Sequence, residues 1–404
     1  MSILFLSSKG SQYKYFKALS KRLEVGSAVK GLYPAMVVWG SWHGLSISLV
    51  RDGIAFHVAR KKAKTRINLP SWCWWAYEFK SAIRFALIYM SVCSLLKKVS
   101  FQCVGVWNGH RLPEMAIKMA AARAGLKVAH FENGLIPDST TMDFSGVNDR
   151  NSLPRKPGFY LDYFEHLNGQ LFTPHADRLT PRAPHRSKLK AEKMARPEGK
   201  RFIFVPFQVG FDSQVLVNSH LVRSMGEFYE LLGEALAACE DKDLIFVIKE
   251  HPSDPASYKE LYFRNPRIVF SNESTEELIR CAEAVLTINS SVGLESLLLG
   301  KKVIVVGEAC YKIDGLVQSV LSLKDLVSAI DRVESWSPNV MVVKGYLSYL
   351  RQVYVIKGAW QKQLSDVDPI HLAGIHQKLV ENGLMPQSDP PEKAYPSEAA
   401  MLSC

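Results

Sequence analysis

Three short polar motifs, each directly after an apolar run, contain the residue types best suited to chemistry. They follow the runs 201–205, 244–248 and 284–288 and comprise, in order, Gln208, Asp212 and Ser213; Lys249, His251 and Pro252; and Asn289, Ser290, Ser291 and Glu295. The apolar runs predict buried strands, and Pro206 cannot donate to a sheet ladder, so it ends the first one. Open α/β sheets bind ligands at the carboxyl ends of their strands. The sequence therefore predicts one crevice formed by all three motifs.

The third motif has the composition of a phosphate site. Asn289, Ser290, Ser291 and Gly293 open a predicted helix. An N-cap would account for one of these residues but not for three small polar residues and a glycine together. Free backbone N–H groups, hydroxyls and the positive end of a helix bind phosphate. We therefore expect a phosphate group at this helix.

The second motif supplies candidate partners for such a phosphate. A single histidine is more often structural, but His251 lies at a strand end beside the predicted phosphate loop. It is thus a candidate donor to a leaving phosphate. Lys249 is either a further phosphate ligand or only a charge at the strand end.

A second set of candidates comes from the first half of the chain. Residues 104–107 and 127–131 are predicted strands; Asn108 follows the first, and Glu132, Asn133 and Gly134 follow the second. Glu132 could pair with a basic residue, and Asp212 could cap the helix that follows it. If both carboxylates face one cleft, they provide the nucleophile and the acid/base of a retaining glycosyl transfer.

Two Asp-x-Asp motifs match a common metal-binding pattern of glycosyltransferases. They are residues 241–243 and 366–368. We interpret both as solvent-exposed turns, because the first precedes its strand and so places its carboxylates at the wrong end. No His/Cys cluster has zinc spacing. We expect no required metal and no other cofactor.

The order of strands and helices predicts an α/β protein with parallel sheets in two Rossmann-like domains. The predicted units are an N-terminal Rossmann-like domain, a C-terminal Rossmann-like domain, helices that pack back toward the first domain and a disordered tail, at residues 1–198, 199–345, 346–385 and 386–404. A basic linker is predicted at 182–201, and residues 135–160 are predicted to form a long functional or disordered loop. A helical segment is predicted at 346–360.

Composition indicates a globular chain with an acidic partner. Of the 404 residues, 47% are hydrophobic and 22% charged, and the net charge is +11. That charge fits a phosphate-bearing substrate, an anionic lipid or a nucleic acid; we expect no nucleic acid partner. We expect no signal peptide, and seven scattered cysteines suit a reducing cytosol, so a cytoplasmic location is predicted.

One segment suggests contact with a membrane surface. The basic run 60–66 precedes Trp72, Trp74, Trp75 and Tyr77. It is either a solvated turn before a packed aromatic helix or a patch that binds anionic lipid head groups. The most apolar stretch, residues 85–96, is about half the ~20 residues needed to span a bilayer.

The ordered motifs resemble those of the retaining β-Kdo glycosyltransferases of bacterial capsule and O-antigen assembly. The resemblance covers residues from about 108 to 311. It rests on Phe131, Glu132, Asn133, Gly134, Pro137, Thr141, Asp143, Gly146, Val147, Asn148, Gln208, Val209, Asp212, Ser213, His251, Pro252, Ser290, Ser291, Val292, Gly293, Glu295, Gly300 and Lys301.

The resemblance implies a GT-B-like architecture with two domains facing a central cleft, a CMP-Kdo donor and a double displacement. It suggests Asp212 as nucleophile and Glu132 as acid/base, with Asp143 the next candidate nucleophile. The CMP phosphate would be held by His251, Ser290 and Ser291. The acceptor would be a polysaccharide or a lipid-linked glycan. Capsule-type members often have Glu-Asp-Gly where this chain has Glu-Asn-Gly, which favours the O-antigen branch.

Two other classes of function stay open at this point. A CMP-sialic acid transferase uses similar His-Pro and Ser-Ser motifs but inverts, and needs only one catalytic carboxylate. A glycan- or lipid-binding accessory protein of polysaccharide export would need none.

Overall fold

The structure is a computed structural model that describes residues 2–8, 10–32, 44–65, 67–98, 100–167 and 194–386. Its strands are β1 Ser2–Ser7, β2 Gly26–Gly31, β3 Cys103–Trp107, β4 Lys127–Asn133, β5 Ser139–Asp143, β6 Phe202–Pro206, β7 Ile245–Lys249, β8 Ile268–Phe270, β9 Ala284–Thr287, β10 Lys302–Val305, β11 Gln318–Ser319 and β12 Ile356–Lys357. Its helices are α1 Gly10–Arg22, α2 Ile47–Lys64, α3 Ser71–Lys98, α4 Glu114–Arg123, α5 Pro157–His166, α6 Ser213–Leu216, α7 Met225–Ala238, α8 Thr275–Cys281, α9 Ser291–Leu298, α10 Leu323–Asp331, α11 Val340–Tyr349 and α12 Pro369–Glu381. Short 3₁₀ turns lie at Asn148–Arg150, Lys259–Leu261 and Trp360–Lys362, and a π-helical turn at Leu350–Tyr354.

The second half of the described chain forms a six-stranded sheet in the order β11-β10-β9-β6-β7-β8, with all neighbours parallel. Its strands are apolar on both faces because helices cover both sides. The chain moves outward from β6 to β8 and then returns to β9 on the other side of β6. This reversal is the doubly wound Rossmann order, and ligands bind where the direction changes, between β6 and β9.

The first half forms a separate sheet in the order β12-β5-β4-β3-β1-β2. Strands β2, β1, β3 and β4 are parallel, whereas β5 and β12 are antiparallel additions at one edge. The two sheets face a common cleft, which is the GT-B-like arrangement. The prediction of an α/β fold with two Rossmann-like halves is confirmed.

The C-terminal segment packs on the first sheet. Ile375 and Leu379 of α12 belong to the same core cluster as Phe5 of β1 and Tyr15 of α1. The Tyr15 hydroxyl also lies 2.8 Å from Nε2 of His371, which is fully buried. The end of the described chain thereby packs into the core of the first sheet and not into that of the second.

Three expectations about secondary structure are wrong. Residues 135–160 contain β5 and the start of α5, because buried polar contacts of Thr140 and Asp143 replace an apolar pattern there. The predicted helical segment at 346–360 is helical only as far as Tyr354, in α11 and the π-helical turn, and then gives way to β12 and a turn at Gly358, whose φ is +89°. The apolar stretch at 85–96 is part of the 28-residue helix α3, which is long and apolar enough to cross a membrane by length and composition. The predicted linker up to residue 193 and the predicted tail from 387 lie outside the described residues.

Candidate active site

A large cleft lies between the two sheets, at the carboxyl ends of their parallel strands. Its volume is about 710 Å³, and its walls include Glu132 from the first sheet and Asp212, His251 and Ser290 from the second. In the second sheet the strand order reverses between β6 and β9, and the loops after these two strands present polar groups to the cleft. The predicted shared crevice and the observed cleft coincide.

Glu132 lies at the end of β4, half-buried in the cleft wall. The Asn108 side-chain amide donates to its Oε2 at 2.6 Å, and the Asn133 backbone N–H donates to Oε1 at 3.0 Å. Burial raises the pKa of Glu132; the two donors lower it, and the nearby charge of Asp212 raises it further. The carboxyl group is therefore suited to hold a proton at some stage of a reaction.

Asn108 is positioned for this contact by its backbone. It adopts a φ of +61°, a left-handed conformation that asparagine tolerates better than most residues. Its carbonyl lies 3.1 Å from Nδ1 of His130 and can only accept, so Nδ1 carries the hydrogen. Burial lowers the pKa of His130 to about 4, which keeps the ring neutral. His130 thus fixes Asn108, and Asn108 fixes Glu132.

Asp212 comes from the other side of the cleft, where it caps the short helix α6. Its Oδ1 accepts from the Gln214 backbone N–H at 3.3 Å and from the Ser213 hydroxyl at 3.1 Å. The capping function that the sequence suggested is therefore real, and it holds the carboxylate at the cleft wall rather than removing it. Asp212 and Glu132 face one cavity from opposite sheets.

Gln208 and Asn289 form a buried pair beneath these groups. The Gln208 amide donates to Asn289 Oδ1 at 3.0 Å, and its Oε1 accepts from the Asn289 backbone N–H at 3.2 Å. The Asn289 amide donates to the carbonyls of Gln214 and Asn218. Both residues line the cleft, but their polar groups mainly tie the loops after β6 and β9 together.

The Ser-Ser motif opens helix α9 at the cleft. Ser290 is the N-cap, and its hydroxyl accepts from the Val292 backbone N–H at 3.2 Å. Ser290, Ser291 and Glu295 line the cavity. Gly293 has a different purpose from the predicted one: a Cβ there would lie 2.4 Å from the Tyr311 hydroxyl, so the glycine permits close packing.

His251 lines the cleft, and its neutral ring has a defined tautomer. Its Nδ1 accepts from the Ser253 backbone N–H at 3.1 Å, so the neutral ring carries its hydrogen on Nε2. A ring in this state can donate to an acceptor such as a phosphate oxygen. Pro252 follows it but is not part of the cleft wall.

Like Pro252, Lys249 is a predicted site residue that does not line the cleft. Its ammonium group donates to the backbone carbonyl of Glu273, and burial lowers its pKa. Lys249 therefore anchors the loop before α8, because an amine at the end of β7 is closer to that loop than to the cavity. The interpretation as a strand-end charge is the better one.

Asn133 and Gly134 line the cleft and also have structural contacts. Asn133 Oδ1 accepts from Trp360 Nε1 at 2.8 Å and from Gln361 Nε2 at 3.1 Å. A Cβ at Gly134 would lie 1.8 Å from the Ser139 hydroxyl, so only glycine fits. This motif thus joins β4 to β5 and to the C-terminal segment.

Asp143, the second candidate nucleophile, is unsuited to that role. Its buried carboxylate accepts from the backbone N–H groups of Ser145, Gly146 and Ser152, and from the hydroxyls of Ser152 and Tyr354. It does not line the cleft. A carboxylate with this many donors holds a loop in place and is a poor nucleophile.

The two Asp-x-Asp motifs lie in turns, as interpreted. Asp241 accepts from the backbone N–H groups of Asp243 and Leu244 and pairs with Arg201 at 3.2 Å. Asp366 pairs with Arg22 at 2.7 Å on the exposed surface. That no metal is required remains a prediction.

Sequence reasoning missed several cleft residues. Arg111 lines the cavity, and its charge lowers the pKa of Glu132. Tyr354 enters from the C-terminal segment. Arg111 follows the Asn108 loop directly and could have been found from that position. Tyr354 could not, because only the pairing of β12 with β5 brings it there.

The fold and the cleft define a GT-B-like protein with carboxylates on both sides of its crevice, Glu132 and Asp138 on one side and Asp212 and Glu295 on the other. The sequence profile described as capsule polysaccharide biosynthesis protein matches residues 102–188 and 175–360. The chain belongs to this capsule polysaccharide biosynthesis family.

Three known proteins illustrate the range of similarity. Protein FixF of Sinorhizobium fredii is 36% identical over 288 residues, which are 70% of this chain and 68% of FixF. The capsule polysaccharide export protein KpsS of Escherichia coli is 26% identical over 262 residues, 49% of this chain and 65% of KpsS. The solved structure of Thermosulfurimonas dismutans KpsC, beta Kdo 2,7 transferase, aligns over 93% of this chain and 100% of that chain, with 17% identity and a TM-score of 0.43.

Proposed function

We propose that the protein is a retaining glycosyltransferase that moves Kdo from CMP-Kdo to a polysaccharide or lipid-linked glycan acceptor, on the cytoplasmic side of the membrane. The observation that carries the proposal is the pair Glu132 and Asp212, which line one cleft from opposite sheets. Membership of a capsule polysaccharide biosynthesis family supports a role in glycan assembly. The motif resemblance supports CMP-Kdo as the donor.

In the first displacement, a carboxylate oxygen of Asp212 attacks the anomeric carbon of Kdo. The bond from that carbon to the phosphate oxygen breaks, and CMP leaves with the electron pair. The hydrogen bonds from Ser213 and the Gln214 backbone hold the attacking carboxylate in place. The product is an ester between Kdo and Asp212.

In the second displacement, the acceptor hydroxyl attacks the same carbon from the face that CMP left. Glu132 takes the hydroxyl proton, and the ester bond to Asp212 breaks to restore its carboxylate. Because burial raises the pKa of Glu132, its carboxylate is a stronger base than an exposed glutamate. Two displacements at one carbon give net retention.

Departure of CMP needs charge stabilisation but little proton transfer. The Nε2–H of His251 and the start of helix α9, with Ser290 and Ser291, supply donors on the cleft wall. Such donors stabilise the developing charge on a leaving phosphate. We therefore propose that catalysis requires no metal.

The direct experiment measures CMP release by the purified protein from CMP-Kdo and from CMP-sialic acid, with a panel of glycan acceptors. The proposal predicts release and transfer with CMP-Kdo alone, and a product whose anomeric configuration equals that of the donor. Use of CMP-sialic acid with inversion would favour the sialyltransferase alternative, for which one of the two carboxylates is superfluous. Binding of glycans with no turnover of either donor would favour an accessory protein of export.

A further inference from the structure

Helices α2 and α3 and the turn between them form a helical hairpin, residues 47–98, that carries most of the net charge of the protein. The hairpin contains ten Lys and Arg residues and two acidic residues, a balance of +8 out of a total of +11. Lys61, Lys62 and Lys64 in the last turns of α2 are exposed. Positive charge is therefore concentrated in this hairpin, as it also is in the basic segment 182–201.

The same hairpin exposes an unusual amount of apolar surface. Trp72, Trp75, Phe79 and Ile83 are spaced at helical intervals along one face of α3 and are exposed by 70%, 68%, 56% and 46%. The rings of Trp75 and Phe79 stack at 5.7 Å. Ile67 in the turn is 73% exposed. A continuous exposed stripe of this kind marks an interaction surface.

The opposite face of α3 is firmly packed. Phe85, Tyr89 and Val92 are buried in a core cluster with Leu4 and Val104 of the first sheet. Passage of α3 through a bilayer would strip these residues from their core. The helix is therefore suited to lie along a membrane surface with only its outer face in contact, although its length would permit it to cross.

The hairpin also contacts the loop that carries the candidate nucleophile. The Arg60 guanidinium lies 5.2 Å from the ring centre of Phe211, and the Lys64 ammonium lies 5.6 Å from it. Phe211 directly precedes Asp212 in the sequence. The turn of the hairpin is thus close to the cleft, so whatever binds the hairpin lies near the site.

We propose that the outer face of this hairpin docks on an anionic bilayer surface, with its aromatic side chains at the head-group boundary and its lysines on the lipid phosphates. Tryptophan rings prefer this boundary, and clustered Lys and Arg residues are attracted by anionic leaflets. A protein partner or a second copy of the chain would account for the apolar stripe but not for the concentration of positive charge beside it. The docked hairpin places the opening of the cleft beside the membrane.

The test is vesicle co-sedimentation of the full chain without any donor sugar, so its outcome is independent of the proposed enzymatic activity. Vesicles of phosphatidylcholine mixed equally with phosphatidylglycerol are compared with vesicles of phosphatidylcholine alone. We expect binding to the anionic vesicles, weakened by added salt, and a loss of about tenfold or more in the triple variant Trp72→Ala/Trp75→Ala/Phe79→Ala. The matched control is Phe263→Ala/Leu321→Ala/Ile370→Ala, which removes side chains exposed by 95%, 67% and 63% elsewhere and should bind as the wild type does.

Thermal unfolding of both variants shows whether each is folded, and replacement of exposed side chains should leave the midpoint unchanged. Equal binding of the triple variant and the wild type would overturn the proposal, as would equal binding to neutral and anionic vesicles. Concentration-dependent self-association of the wild type that the triple variant abolishes, without vesicle binding, would assign the face to a second copy instead.

Discussion

The contact between Asn108 and Glu132 gives a quantitative prediction about pH. Asn108→Gly removes the amide that donates to Glu132 Oε2 at 2.6 Å, while glycine still accepts the φ of +61° at this position. A hydrogen bond to a charged group is worth about 1.5–3 kcal/mol, and 1.36 kcal/mol corresponds to one pKa unit. Because water reaches half-buried Glu132, we expect the lower end of this range, a rise of about one unit in its pKa.

The direction of the change in the pKa of Glu132 depends on which protonation state the hydrogen bond stabilises. Asn108 lowers the pKa of Glu132 by binding its carboxylate, so its loss favours the protonated form, which is inactive as a base. The acid limb of the pH dependence of sugar transfer should move to higher pH by about one unit in Asn108→Gly. In the wild type the midpoint of this acid limb should already lie above ~4.3, the ordinary pKa of a glutamate.

The assay is the rate of transfer to acceptor as a function of pH, for the wild type, Asn108→Gly and Asn133→Ala. The last variant is a control, since its backbone N–H still donates to Glu132 Oε1. An unchanged limb in Asn108→Gly, or a shift to lower pH, would refute the assignment of Glu132 as the base. A shift of equal size in Asn133→Ala would show that the effect is not specific to the Asn108 amide.

Three further predictions concern the phosphate site, the response to acid and a buried carboxylate. His251→Ala, and the pair Ser290→Ala/Ser291→Ala, should each lower kcat/KM for CMP-Kdo about tenfold or more, at ~1.5–3 kcal/mol per lost donor, whereas EDTA should have little effect; unchanged kinetics would remove these residues from the site. Burial lowers the pKa of both His110 and His130 from 6.5 to about 4, so the unfolded chain binds more protons between these values. The free energy of unfolding should therefore fall as the pH falls through this window, by about 3 kcal/mol per histidine, and a flat denaturant midpoint from pH 7 to pH 4.5 would contradict this. Asp143→Ala should destabilise the protein by about 3 kcal/mol or more, because its buried hydrogen bonds are lost, and denaturant unfolding measures this change. If the variant instead folds normally but forms no covalent Kdo adduct with CMP-Kdo, Asp143 would again be the candidate nucleophile.

Much of the candidate site could be predicted because it lies at strand ends. Asp212 and Glu132 each follow an apolar run that has a clear β pattern, and parallel strands bring their carboxyl ends to one edge of a sheet. The strand order places the β6 and β9 loops side by side, so Gln208 meets Asn289 where the sequence suggested a shared crevice. These positions follow from local pattern and from the handedness of the fold.

Other features depend on contacts between distant parts of the chain and could not be predicted. Gly293 is small because Tyr311 packs against it, and Lys249 turns to the Glu273 carbonyl, a partner 24 residues away. The strand β5 has no apolar pattern, and Ser139, Thr140 and Asp143 in it hydrogen-bond to loop backbone and to Tyr354. The exposure of Trp72 is likewise decided by which face of α3 the sheet covers.

The measurement that tests the central claim most directly is intact-mass spectrometry of the Glu132→Gln variant after incubation with CMP-Kdo. The amide keeps the shape of Glu132 but cannot accept the acceptor proton, so the first displacement should proceed and the second should stall. The account predicts a Kdo-sized mass increase that maps to the peptide containing Asp212 and is absent from Asp212→Asn, which should still bind CMP. An adduct on another residue, or no adduct together with a product of inverted configuration, would contradict the double displacement.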